Sequence, residues 1–477
     1  MYSNDKKTKI VATVGPACSE KDVLARMVKA GVNVFRLNFS HANYDDLRKV
    51  IASIREINNE LGTNVAILGD LQGPKIRIGE VQNNGITLKT GDRLKLVTEK
   101  CVGTKEKIYL NYLEFPIDVE EGDQVLLDDG KIKFEVVRTN RLDEVEVVVI
   151  HGGLLSSKKG VNLPNTKVSL PSLTDKDKAD LDFILEHDLD WVALSFVREA
   201  ADIHDLRDRI RERGKNIHII AKIEKPQAVA NIDAIIAETD GMMVARGDLG
   251  VEYPIEKLPL IQKLIVQKCL RASKPVIIAT QMMESMITSF MPTRAEANDV
   301  ANAVFDGADA LMLSGETSVG QHPVQVIEYM VRIIKNVEEE AEHIYHRDNE
   351  TPQESDTFLS DSLCYIAGRA AKYVNAKAIV GMTKSGYTAY QVASYRPKSD
   401  IFVFTPDTAL LTRISLIWGV RAFYYDKLTT TDETISDVLN ILKSKKLVQK
   451  GDVVVNTGAM PIKSKHRANF MKFSVVE

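Results

Sequence analysis

The chain has 477 residues, of which 44% are hydrophobic and 27% charged, and 62 Lys and Arg against 66 Asp and Glu leave a net charge of −4. That balance suits a folded protein of about three domains at roughly 150 residues each, and argues against long disorder and a basic nucleic-acid binder. No apolar run reaches the ~20 residues that span a bilayer. MYSNDKKTKI carries no apolar secretory core, and Cys18, Cys101, Cys269 and Cys364 form no CxxC or zinc spacing. The expectation is a cytoplasmic protein with neither membrane nor nucleic acid among its partners.

Short apolar runs then alternate with amphipathic segments. KIVATV (Lys9 to Val14) reads as a buried strand, followed by a helix capped at Ser19, with Asp22 three residues on, and stopped at Gly31. Further strands read as Asn33 to Leu37, Asn64 to Leu68, Asp190 to Ser195, His218 to Ile223, Gly241 to Ala245, Pro275 to Ala279 and Ala310 to Leu313. Near-continuous apolar strands of this kind are buried on both faces, as in a parallel sheet covered by helices. One interval, Asn64 to Asp190, is about 100 residues too long; without the excess, the core approaches the ~250 residues typical of a (β/α)8 barrel.

The predicted fold class is therefore α/β: a TIM-type (β/α)8 barrel over 1–72 and 172–345, with an inserted small β-barrel or sandwich cap at 73–171. The insert shows period-2 alternation and Asp-Gly turns, as in GDQVLLDDGKIKFEVV. After the polar stretch His346 to Asp356, helices alternate with AKAIVGMT, DIFVFTP, GVRAFYY and GDVVVNTG, which predicts a C-terminal α/β domain over 355–477.

Catalytic groups of such barrels lie at the C-terminal strand ends. Strand two ends at Arg36, Asn38, Ser40 and His41, and strand three at Asp70, with Lys75 and Arg77 beyond. Strand four ends at Ser195, five at Lys222 and Glu224, six at Arg246 and Asp248, seven at Thr280 and Gln281, eight at Ser314 and Glu316. Carboxylates and cations converging on one mouth suit an anionic, metal-bound substrate. Glu224 and Asp248 on neighbouring strands suit Mg²⁺, which takes one or two carboxylates and fills its shell with substrate oxygens and water. Lys222, two residues from Glu224, faces the same side of its strand and can neutralise a transferring phosphoryl group. The backbone at Gly247 can receive a carboxylate or phosphate. GxxxxGK[ST], GxGxxG and HExxH are absent, so any nucleotide would be held by side-chain cations such as Arg36, Arg77 and Lys159.

The segments RLNFSH (36–41), KGVNLP (159–164), AKIEKP (221–226), MVARGDLGVE (243–252), ATQMMESM (279–286), PTRAEANDVANAV (292–304) and LMLSGETSVG (311–320) together resemble the pyruvate kinase family over nearly the whole chain. The resemblance implies phosphoryl transfer from phosphoenolpyruvate to ADP, giving pyruvate and ATP in the last step of glycolysis. By similarity Glu224 and Asp248 carry Mg²⁺ (or Mn²⁺ in its place), and Arg36 and Lys222 meet the phosphoryl group. Ala245, Arg246, Gly247, Asp248 and Thr280 hold the substrate's carboxylate end. Asn38, Phe39, Ser40, His41, Arg77 and Lys159 reach the nucleotide, and Thr280, Ser314 and Glu316 lie near the enolate carbon. The family also implies a homotetramer and a sugar-phosphate activator, the latter placed at Thr383, Lys384, Ser385, Gly386 and Thr388 before a helix.

One stretch departs from the commonest family pattern. Many members need K⁺ and carry a glutamate where Lys75 stands. Asn38, Ser40, Asp70 and the Leu71 carbonyl can still form a monovalent-cation cage, but the ammonium of Lys75 supplies the positive charge and repels K⁺. K⁺ is therefore expected to be dispensable. A rival reading is a metal-dependent aldolase on the same kind of barrel; the insert, with Lys159 and the Arg77 region, and the C-terminal domain favour the kinase.

Overall fold

The eight apolar runs close on themselves in a computed structural model that describes residues 6–41, 43–164, 166–347, 355–427, 429–460 and 467–477. The strands β1 (Lys9–Thr13), β2 (Val34–Asn38), β3 (Ala66–Asp70), β4 (Trp191–Leu194), β5 (His218–Ile223), β6 (Gly241–Ala245), β7 (Val276–Ala279) and β8 (Ala310–Leu313) form a parallel barrel in chain order, with β8 pairing back onto β1. Six of them are buried along their whole length. Burial on both faces explains why their sequences are apolar runs and do not alternate.

The first helix, Lys21–Ala30, follows Glu20 and has no side-chain cap, so the cap expected at Ser19 is one residue early; its stop at Gly31 holds. Thr293 and Glu296 do form a reciprocal capping box ahead of Arg294–Asp306. The insert builds a six-stranded sheet in the order Val161–Asn162, Gln124–Leu127, Ile132–Thr139, Glu144–His151, Arg93–Val97, Lys107–Tyr109, plus a two-stranded pair. The last two strands pair in parallel, so the insert is not wholly antiparallel. It has its own core around Leu94, Leu96, Phe115, Phe134 and Val147.

The C-terminal domain has β9 (Ala378–Met382), β10 (Asp400–Thr405), β11 (Val420–Tyr424), β12 (Val453–Gly458) and β13 (Phe470–Val475) in the order β11-β10-β9-β12-β13. The edge strand β13 runs antiparallel to β12 and is missed by sequence reading, because FMKFSV is half-exposed and forms no apolar run. Lys9 Nζ donates to Val420 O at 2.8 Å, and Trp191 Nε1 to Arg413 O at 3.0 Å. These bonds fix the domain under the N-terminal strand ends and leave the opposite mouth open. Most of the polar connection expected at His346 to Asp356 lies outside the described residues.

Candidate active site

The mouth is organised by a buried chain of alternating charges. Arg36, near the end of β2, donates through Nε to Asp70 Oδ2 at 2.6 Å and through Nη1 to Thr13 Oγ1 at 3.1 Å. Lys222 on β5 lies 3.2 Å from Asp70 Oδ1 and 3.0 Å from Glu224 Oε1, and donates to Ser195 Oγ at 2.6 Å. Asp70 and Glu224 are 1% and 2% exposed. Carboxylates so deep persist as ions only when paired and hydrogen-bonded. Burial pushes Asp70 upward, but Arg36 and Lys222 outweigh it and hold the carboxyl below its usual range. Burial lowers the Lys222 ammonium, but Asp70 and Glu224 outweigh it and hold it above the usual lysine range. Glu224 goes the other way: burial lifts it above the carboxylate range, Lys222 offsets part of that, and Asp248 adds to the lift.

That last shift tests the fit of a divalent cation. Glu224 and Asp248 repel one another across the mouth, Glu224 is already held by the Phe196 N–H at 2.7 Å, and Asp248 stays about one-third exposed. A hard dication between two such carboxylates relieves the repulsion, and oxygen donors with an open side match Mg²⁺.

Lys75 reaches into the mouth, its Nζ 3.7 Å from Asp248 Oδ1. The oxygens proposed for a monovalent cage are largely committed: Asp70 to Arg36 and Lys222, Leu71 O to the Ser195 hydroxyl at 2.7 Å, and Asn38 Oδ1 to the Ser40 N–H at 3.2 Å.

At β6 and β7, Gly247 N–H donates to Thr280 Oγ1 at 2.7 Å, and an added Cβ at Gly247 would sit 3.4 Å from that hydroxyl. Thr280 and Gln281 both hold positive φ, 72° and 55°. A β-branched residue in that region is strained, and such strain gathers at working sites. Ala245 ends β6 as buried backbone. Arg246 turns its guanidinium away, to Asp299 at 2.7 Å and the Thr280 carbonyl at 2.7 Å, so it braces the loop. Glu316 is buried, and its oxygens accept from the N–H groups of Met283 at 3.1 Å and Ser314 at 2.7 Å, which ties β8 to the β7 loop.

The nucleotide candidates divide. The Phe39 ring is fully buried against Phe183, so only its backbone can face a ligand. Asn38 and Ser40 sit at the rim, with the backbone of His41 in the same short helix. Arg77 and Lys159 belong to the insert; Arg77 donates to Lys158 O at 3.1 Å, and Lys159 pairs with Asp128 at 2.7 Å. They are near one another in the chain's fold, as the Arg77–Gly160 bridge requires. In the loop before the helix Tyr387–Ser394, Thr383 Oγ1 accepts from Gly386 N at 2.9 Å, Gly386 has φ 83° as the helix N-cap, and Lys384 and Ser385 are exposed. Thr388 is buried, so its hydroxyl is turned from the loop surface. Arg467 lies over the Tyr387 ring at 4.3 Å, a neighbouring cation that sequence reading misses because it arrives from the far end of the chain. Thr13 is also missed as a site member, since an isolated hydroxyl carries no motif, while Ser195, read at the end of strand four, turns out to be the acceptor for Lys222.

Fold and mouth together define a barrel enzyme built to take an anionic substrate beside a buried lysine and paired carboxylates. The family model described as pyruvate kinase, barrel domain, matches residues 5–327, and that described as pyruvate kinase, alpha/beta domain, matches 361–474. A pyruvate kinase of Geobacillus stearothermophilus is 44% identical over 475 residues, 99% of this chain and 80% of that protein. One from Clostridium acetobutylicum is 39% identical over 478 residues, 99% and 100% of the two chains. A crystal structure of a pyruvate kinase from Cryptosporidium parvum superposes with a TM-score of 0.93 at 36% identity, covering 100% of this chain and 97% of that one. The chain belongs to the pyruvate kinase family. Its reaction is phosphoryl transfer from phosphoenolpyruvate to ADP, which sets the aldolase reading aside.

Proposed function

We propose that the Arg36–Asp70–Lys222–Glu224 chain is the phosphoryl-transfer centre, and the observation that carries this is the buried Lys222 held charged between two carboxylates. Arg36 and Lys222 receive the phosphoryl group. As its bond to the enol oxygen breaks and a bond to the ADP oxygen forms, charge grows on the enolate oxygen beside Lys222. A fixed ammonium in a dry site stabilises that charge without reorganising. Gly247 N–H, the neighbouring backbone from Ala245 to Asp248 and Thr280 orient the substrate carboxylate. Thr280 and Ser314 line the side from which the enolate carbon takes its proton, while Glu316 fixes their geometry. Glu224 and Asp248 would hold Mg²⁺, which would supply positive charge to offset the negative charge that develops during transfer. Lys75 stands where its charge serves the mouth, and the committed cage oxygens support K⁺ being dispensable.

Arg77 and Lys159 on the insert, with Asn38 to His41 at the rim, are the nucleotide side. The assembly read for the chain is a cytoplasmic homotetramer; the exposed Leu359, Ile366 and Tyr373, on one helix of the C-terminal domain, support subunit contact there. Among the described residues no helix is long and apolar enough to cross a membrane. Lys384, Ser385 and Arg467 suit a sugar phosphate, and Ser385→Glu should blunt its activation at low phosphoenolpyruvate. The test of the whole reading is product stoichiometry. Pyruvate and ATP should appear in equal amounts, and only with ADP and a divalent cation; pyruvate formed equally fast without ADP would contradict it.

A further inference from the structure

The insert leaves the barrel at Leu71 to Pro74 and returns through Val161 to Pro171. At the exit, Gly73 has φ 69°, and a Cβ there would lie 2.8 Å from the Phe196 ring, so the outgoing strand is pressed onto the loop after β4. On the return path two side chains cross between the bodies. Arg198 Nη1 donates to Val168 O at 2.7 Å, and Asn162 Nδ2 donates to Glu252 Oε1 at 2.9 Å.

Glu252 is 5% exposed and ends the helix Arg246–Glu252, whose first turn carries Asp248. The same Oε1 accepts from Lys225 Nζ. Lys225 directly follows Glu224, and its ammonium lies 5.8 Å from the centre of the Phe196 ring, while Phe196 N–H holds Glu224 Oε2. One buried carboxylate thus joins the returning strand of the insert, the metal-ligand end of β5 and the helix of Asp248. Its other oxygen, Oε2, is buried without a partner. A buried acceptor with no donor costs free energy that a second arrangement can recover. A cavity of about 30 Å³, the size of a bound water, lies beside Asn162 and Lys225 and is lined also by Ile76, Phe196 and Arg198. The turn at Gly130 of the insert overhangs Val251, next to Glu252.

We infer that Asn162, Glu252 and Lys225 form a latch that couples the position of the inserted domain to the metal-ligand end of β5. They are positioning residues: none is placed on substrate, and each acts through Glu224, Asp248 or the nucleotide cations Arg77 and Lys159. The inference rests on the kinase reading above and deepens it. Its function is to make closure over the mouth and seating of the metal ligands one event, so that water is excluded whenever the phosphoryl group is ready to move.

The experiment compares wild type with Asn162→Ala, Glu252→Gln and the exchange Asn162→Asp with Glu252→Gln, following pyruvate and ATP separately. In the exchange the amide becomes the donor and the new carboxylate the acceptor, which restores the link and offers Lys225 an anion. Asn162→Ala should raise KM for ADP by about fivefold, the low end of coupling between sites. It should also let pyruvate exceed ATP through hydrolysis, while KM for phosphoenolpyruvate and the melting temperature stay put. The exchange should bring the ATP-to-pyruvate ratio back towards one. Normal ADP KM and equal products in Asn162→Ala, or an exchange no better than Glu252→Gln alone, would overturn the latch. If Glu252→Gln fails to fold, Asn162→Ala decides alone. Loss of the kinase reading is a separate outcome, seen as wild-type pyruvate formation indifferent to ADP.

Discussion

The two ends of the barrel both bury lysines, in opposite ways. At the mouth, Lys222 meets two carboxylates and stays charged above its usual range. At the floor, Lys6 donates to Asn33 Oδ1 at 2.6 Å and Thr8 O at 3.1 Å, and Lys9 to Val420 O at 2.8 Å, while Lys7 donates to Ser399 O at 3.0 Å and has one carboxylate nearby, Asp400 at 3.7 Å. Carbonyl dipoles do not repay the loss of water as carboxylates do. Burial brings Lys6 down to about 7 and Lys9 well below its usual range. Glu338 accepts the N–H groups of Lys7 and Thr8, at 2.8 and 2.7 Å, and spends its oxygens on backbone. The difference separates a lysine held charged at the mouth, which we propose serves phosphoryl transfer, from lysines whose polar contacts join the barrel to the C-terminal domain.

The comparison breaks most visibly at Glu224. Glu224→Gln removes one proposed metal ligand and one neighbour of Lys222, and should lower kcat/KM by about 10²–10³. Titration with Mn²⁺, followed by electron paramagnetic resonance, should show weakened metal binding with the fold intact by circular dichroism. Near-normal turnover would remove Glu224 from the metal site.

A middle-sized effect is expected at Lys75. Lys75→Glu places a second carboxylate beside Asp248, and should create a K⁺ requirement of about tenfold in rate, about 1.4 kcal/mol. Assays in tetramethylammonium buffer, with and without KCl at constant ionic strength, read it directly. Strong saturable K⁺ activation of the wild type would show that the ammonium does not replace the ion.

The smallest effect sharpens the floor. His218 packs edge-on to Trp191 at 5.1 Å and lies near Tyr390 and Arg413 across the domain boundary. Burial lowers it from 6.5 to about 4, with Asp240 resisting and Arg413 adding to the fall. The unfolded chain therefore binds the proton first. Stability should be whole above pH 6.5, decline as pH falls below it, and carry the full penalty under about pH 4. His218→Gln should flatten the loss of melting temperature over that window, without changing kcat at pH 7.5. An unchanged acid profile would place the sensitive group elsewhere.

The barrel was legible because burial on both faces writes a strand as an apolar run, and Lys222, Glu224 and Asp248 fall at the ends of such runs. The insert was legible by its alternation. What stayed hidden depends on orientation or on partners distant in sequence. Nothing in the sequence turns Arg246 towards Asp299, buries the Phe39 ring, or brings Arg467 to Tyr387. Asn162 and Glu252 lie in two of the segments that carry the resemblance, KGVNLP and MVARGDLGVE, but nothing in either segment shows that they meet across 90 positions. Strand β13 was lost because an edge strand need not be apolar.

The most direct test of the central claim sets the two ends of the barrel side by side: kcat, KM for phosphoenolpyruvate and melting temperature of Lys222→Met and Lys9→Met. The account predicts that Lys222→Met loses about 10³ in kcat with little change in KM, as expected of a charge used in the transition state. Lys9→Met should keep kcat and lose about 1 kcal/mol of stability with its hydrogen bond to Val420. A Lys222→Met enzyme that kept its kcat and failed only in KM, or a Lys9→Met enzyme that lost kcat as deeply, would contradict the division.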